Sequence, residues 1–219
     1  MTFRRPGLIA VAAVLAASAC SVEIGSGGDD PPPSGRSTDG STARRDLARL
    51  RIATEGGGAG YAREKYGQRW RDIDNNGCDQ RNDVLARDLR DIIRRDRCVV
   101  VSGRLDDPYT GRRIMFSKSD ADEVQIDHLY PLALSWRMGA AGWTEARRER
   151  FANDHRNLLA VWGVVNGQKG DSGPGEWKPR KEYQCTYAIK YIAVARGYDL
   201  PITRADRDAL NGFLDRCRP

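Results

Sequence analysis

Glu123-Val124-Gln125-Ile126-Asp127-His128-Leu129-Tyr130-Pro131 alternates apolar and polar side chains as far as Leu129 and then meets a proline. Period-two alternation belongs to a strand with two unlike faces, so residues 123–129 are expected to form one. Downstream, Asn157 precedes the apolar run Leu158-Leu159-Ala160-Val161, a second short strand. Asn166-Gly167-Gln168-Lys169-Gly170-Asp171 follows, an expected short helix ending in Lys-Gly. Between the strands, Thr144 to Phe151 reads as a charged helix. The chemistry of the chain is concentrated here, between Gln125 and Trp177.

The rest of the chain reads as α+β without internal repeats. Arg44 to Arg51 has helical spacing, and Tyr61 to Trp70 is a short amphipathic piece. Asp83 to Arg97 is expected to be a helix, with Val84, Leu85, Leu89, Ile92 and Ile93 on one face. Val99 to Leu105 and Arg113 to Phe116 flank turn residues and read as a hairpin. Lys181 to Gly197 and Thr203 to Arg216 are expected C-terminal helices, the second with Thr203 as N-cap and Asp206 three residues on.

The chain has 219 residues, is 40% hydrophobic and 30% charged, and carries a net charge of +6. This composition excludes an integral membrane protein and a wholly disordered one. Arg4 and Arg5 precede an apolar run from Leu8 to Ala19, too short for a span of about 20 residues but suited to an export signal over residues 1–20. Ala-Ser-Ala-Cys20 resembles a bacterial lipobox, with Cys20 the lipidation site. Ala17 stands where that motif has leucine, and ordinary secretory cleavage is the competing reading. The expected location is therefore outside the cell, either lipid-anchored to the outer face of the membrane or secreted. Residues 21–42, rich in Gly, Ser, Pro and Asp, are expected to be a disordered linker, leaving residues 43–219 as a single domain. Loss of Arg4 and Arg5 on export lowers the charge from +6 to +4, and the linker's acids mask a more basic folded part.

Export accounts for the cysteines. Without Cys20 four remain, which allows three pairings that the sequence does not choose among. Cys78–Cys98 and Cys185–Cys217 are the expected pairs, because each brackets one helical segment. Widely spaced cysteines and only 2 histidines exclude zinc fingers.

The ordered set Asp127-His128, Asn157 and Asn166 ahead of Lys169-Gly170 resembles the HNH endonuclease family, which carries a ββα-metal finger. Residues 99–181, with Phe151-Ala152-Asn153-Asp154 and Glu176-Trp177, look similar to exported actinobacterial HNH proteins related to the C-terminal domain of GmrSD restriction enzymes. The likeness extends upstream to Gly77-Cys78-Asp79 and Asp83-Val84-Leu85. It implies an α+β fold with the ββα core at residues 123–181, embedded in further helices and a hairpin. It also implies a metal-dependent phosphodiesterase. His128 is the expected general base, its pKa near 6.5 letting it take a proton from water. Asp127 and Asn166 are the implied metal ligands, an HNN variant whose two oxygen donors favour Mg²⁺, with Mn²⁺ or Ca²⁺ as alternatives. Asn157 is assigned to the catalytic set as the residue that ties the loop to the strands and orients His128. Lys169 and Arg137 are expected to contact substrate phosphate. The expected partner is nucleic acid, DNA before RNA, cut by a monomer with little sequence preference because no separate DNA-reading module is recognisable.

Blander readings stand beside these. His128 alone could be a strand-end histidine satisfied by a backbone carbonyl; the ordered set is what selects catalysis. His155 reads as exposed and Asp171 as a turn residue. The tryptophans Trp136, Trp143, Trp162 and Trp177 read as core. Arg147, Arg148, Arg150 and Arg180 either line a nucleic-acid track or sit on solvated faces, since Arg outnumbers Lys 30 to 6. Asp72, Asp74, Asn76 and Asp83 match EF-hand spacing with Asp in place of the final Glu, whereas Asp79 and Cys78 within that stretch favour a solvated turn. A non-catalytic envelope lipoprotein using the fold as a scaffold and an extracellular RNase are the rival functions.

Overall fold

The structure is a computed structural model that describes residues 1–2 and 40–217. Apart from its first two residues, the expected export signal lies outside the described residues, as do Cys20 and most of the expected linker. The first helix, α1 (Gly40–Arg49), starts inside the stretch expected to be linker. Among the described residues no helix is long and apolar enough to cross a membrane.

The elements continue with α2 (Gln80–Asp88), β1 (Arg90–Arg94), β2 (Val100–Asp106), β3 (Arg113–Ser117), β4 (Val124–His128) and α3 (Leu132–Arg137). They close with α4 (Glu145–Asn153), β5 (Leu158–Trp162), α5 (Gly163–Lys169), α6 (Gln184–Gly197) and α7 (Arg204–Leu214). Thr144 caps α4, and Thr203 with Asp206 forms a complete capping box on α7. β1, β2 and β3 form one antiparallel sheet; β4 and β5 form a separate antiparallel pair, with Asp127 opposite Leu159 and His128 opposite Leu158.

The expected helix over residues 83–97 is corrected. Helix α2 stops at Asp88, and Arg90–Arg94 turns back as an edge strand on β2. Asp91 adopts φ 52° and Ile93 is 61% exposed, so the supposed helical stripe does not face one core. The β-branched Ile92-Ile93 pair gains a ladder beside Val100 and Ser102 instead, a tertiary context overriding spacing. Both expected disulfides are present. Cys78–Cys98 holds its Cα atoms 5.3 Å apart across this helix–strand reversal, and Cys185–Cys217 ties the start of α6 to the end of α7. Each pair therefore encloses two elements rather than one helix.

Two apolar cores meet at the β4–β5 pair. Leu158 and Ala160 face a smaller core with Val84, Leu85, Val100 and Phe116, while Leu159 and Val161 face a larger one built on α1, α3, α4, α6 and α7. Strand alternation thus buries both faces of β5, which explains its unbroken apolar run. It also sends Gln125 and Asp127 toward α5, where Asn166 and Lys169 meet them.

Candidate active site

A cleft of about 230 Å³ opens where β4 ends, lined by Tyr61, Arg63, Asp127, His128, Asn166 and Asp171 among others. A larger hollow of about 570 Å³ between Ile52–Glu55 and Thr203–Ala205 offers a single carboxylate, Glu55, already paired with Arg137, and no histidine.

His128 is half-buried, and its Nε2 lies 2.8 Å from the carbonyl oxygen of Ala152 near the end of α4. A carbonyl only accepts, so Nε2 carries the proton and Nδ1 is left as the basic nitrogen. Burial, reinforced by the charge of Arg63, pushes the imidazole pKa down to about 3 against the opposing pull of the Ala152 carbonyl. The ring is therefore neutral at physiological pH.

Asp127 is 4% exposed and its carboxylate is held on both sides. Lys169 Nζ donates to Oδ1 at 2.9 Å and to the carbonyl oxygen of His128 at 2.9 Å. The Tyr109 hydroxyl donates to Oδ2 at 2.5 Å. Burial pushes the Asp127 carboxyl up, opposed by the Lys169 ammonium. Burial and the neighbouring Asp127 charge push the Tyr109 hydroxyl well above the usual tyrosine range, so it remains a donor. Trp177, Tyr183 and Tyr187 pack around the Tyr109 ring and fix that hydroxyl.

Asn166 gives its Nδ2 to Gln125 Oε1 at 2.9 Å, which leaves its amide oxygen uncommitted. Each Asp127 oxygen keeps a lone pair beyond the bond it accepts. Asp127 and Asn166 both line this cleft, and their oxygens are donors of the kind that divalent cations take.

Three assignments change. Lys169, expected to contact phosphate, is instead 1% exposed and paired with Asp127. Arg137 donates to Glu55 and to Asp171, each at 2.6 Å, and is locked by carboxylates instead of being offered to substrate. Asn157 ties the loop as expected, with Oδ1 accepting from Tyr130 N at 2.8 Å and Nδ2 donating to Tyr130 O at 3.2 Å. It has no bond to His128, whose ring is oriented by Ala152. The arginine track dissolves in part as well. Arg147 stacks on Trp143 and donates to Tyr198 O, and Arg148 donates to the backbone oxygens of Lys65 and Trp143. Arg180 pairs with Glu182 at 3.2 Å. His155 is not simply exposed: its Nε2 is buried 3.9 Å from Asp83.

Two residues had no sequence signal as site members. Arg63 enters from a single helical turn, Arg63–Tyr66, and its pKa is lowered first by burial and then by the neighbouring Arg69. Tyr109 enters from the β2–β3 turn. Nothing local marks either residue, because long-range packing brings Arg63 to the cleft and the buried Tyr109 to Asp127 behind it.

The family model of the C-terminal domain of GmrSD restriction endonucleases matches residues 79–212. An uncharacterized secreted protein of the fungus Arthroderma benhamiae is 39% identical over 180 residues, covering 81% of this chain and 85% of that protein. No solved structure matches the chain. The chain belongs to the GmrSD C-terminal domain family, a nuclease-type domain whose implied substrate is nucleic acid. The fungal relative shows that the likeness is not confined to exported actinobacterial proteins. Its secretion and the two disulfides agree with an extracellular protein.

Proposed function

We propose that the chain is a metal-dependent HNH-type endonuclease that hydrolyses DNA outside the cell with little sequence preference. On this reading the antiparallel pair β4–β5 and the helix α5 that follows it form the ββα unit. The observation that carries the proposal is His128: a neutral imidazole anchored through Nε2–H on Ala152, with Nδ1 as the base, in the same cleft as Asn166 and Arg63.

Hydrolysis of a phosphodiester needs a deprotonated water, charge compensation on the phosphate, and stabilisation of the leaving oxygen. His128 Nδ1 accepts the proton from the attacking water: its neutrality leaves the lone pair free, while burial makes the imidazole a weaker base than its ordinary pKa near 6.5. Arg63 offers its guanidinium to the phosphate oxygens. Asp127 and Asn166 would hold the cation, which when bound supplies compensation of charge on the scissile phosphate and leaving oxygen. Lys169 and Tyr109 keep Asp127 in place.

The test is digestion of plasmid and oligonucleotide DNA with Mg²⁺, beside His128→Ala and EDTA controls. Cleavage that depends on Mg²⁺ and vanishes in His128→Ala is expected. No cleavage with Mg²⁺, Mn²⁺ or Ca²⁺, or cleavage that survives His128→Ala, rejects the catalytic reading and favours a scaffold. Single-stranded RNA supplied in parallel distinguishes a ribonuclease.

A further inference from the structure

We propose that Asp74, Asp83 and His155 form a divalent-cation site that clamps α2 to the turn leading into β5. The site shares no residue with the cleft around His128. One ligand atom from each of the three residues lies within 4.8 Å of the others, a spacing that one ion can bridge. The three come from separate places: a loop stapled by Cys78–Cys98, the first turn of α2, and the segment before β5.

A buried imidazole nitrogen without a hydrogen-bond partner marks this as more than an acidic patch. His155 Nε2 is buried, has no hydrogen-bond partner and lies 3.9 Å from Asp83 Oδ2. Buried polar atoms left unpaired are costly, and a bound ion is one way in which such a nitrogen is satisfied. The Asn76 amide donates to Asp74 Oδ2 at 3.2 Å and to Asp83 Oδ2 at 2.9 Å, and the Asn76 backbone N–H reaches Asp74 Oδ1 at 3.4 Å. Asp83 Oδ1 accepts no hydrogen bond among those formed by the described residues.

The donor set differs from an EF-hand despite the sequence spacing. Asp72, the first position, spends its oxygens on the backbone N–H groups of Asn76 and Gly77. The imidazole of His155, outside the loop, takes its place. Two carboxylates and one imidazole suit Zn²⁺, whereas Ca²⁺ takes oxygen ligands alone. Arg87 already bonds the carbonyl oxygens of His155 and Leu158 from α2, so a cation here would lock a contact the fold has formed.

The chain has only 2 histidines, so the imidazole ¹⁵N resonances resolve them directly. The disulfide-bonded protein, stripped with EDTA and dialysed, is titrated with Zn²⁺. The expected result is a shift of the His155 ring nitrogens, with a rise in melting temperature of about 5 °C. Asp83→Asn and the exposed Asp74→Asn should each remove both effects while melting as wild type does in EDTA. Failure of His155 to shift at tenfold excess Zn²⁺ overturns the proposal. So does a shift of equal size in the Asp74→Asn, Asp83→Asn double variant, or stabilisation by Ca²⁺ that leaves His155 unmoved.

Discussion

Lys169 Nζ sits 2.9 Å from Asp127 Oδ1, with the two side chains 0% and 5% exposed. A lysine that sequence alone would send to a phosphate is instead the buried counter-charge of the strand-end carboxylate. Removing one partner of a buried pair strands the other. Lys169→Met should therefore cost about 3–5 kcal/mol in urea unfolding, and Asp127→Asn added to it should restore part of that. A single variant within 1 kcal/mol of wild type, about the worth of an exposed pair, would show that the pair is not buried in solution.

His128 is neutral because its folded pKa lies near 3, below the unfolded value near 6.5. Between these values the unfolded chain binds a proton that the folded chain refuses. The contribution to stability is therefore complete above about pH 6.5 and is lost as pH falls toward 3. With EDTA present, the His128 C2–H resonance should stay flat from pH 8 to 4.5, and His128→Gln should flatten the acid side of the stability profile. An NMR midpoint near 6.5 would refute this.

Arg63 lines the cleft beside His128 and is half-buried. Arg63→Ala should lower kcat/KM on DNA by about 100-fold, comparable to loss of one transition-state donor. In a His128→Ala background it should also reduce the salt slope of DNA binding by about one phosphate contact. An unchanged slope together with unchanged kcat/KM would place the phosphate elsewhere.

Cys185–Cys217 closes a separation of 32 residues around α6 and α7, and Cys78–Cys98 one of 20. Chain entropy makes the longer closure worth slightly more, and loss of either should cost about 3–4 kcal/mol. Paired Cys→Ala variants followed by denaturant unfolding measure this. A cost below 1 kcal/mol for either would mean that the reduced chain retains the same restriction.

Much of the fold was legible locally. Period-two alternation at 123–129, the apolar run after Asn157 and the Thr203–Asp206 cap each report geometry within a few residues of themselves, and β4, β5 and α7 lie where these signals put them. Residues 83–97 were misread because a 3.6-residue stripe and an edge-strand ladder compete there, and the partner strand β2 decides between them.

By itself the sequence determined the strand–strand–helix order, the caps, and an Asp-His pair with asparagines at fixed separations. It could not determine what each side chain meets. That Ala152 anchors His128, that Lys169 turns inward to Asp127, that Glu55 and Asp171 occupy Arg137, and that Arg63 enters the cleft were decided by tertiary structure. The physical reason is range: backbone periodicity is set by neighbours a few residues apart, while burial and charge pairing depend on residues tens of positions away that only the packed cores bring together.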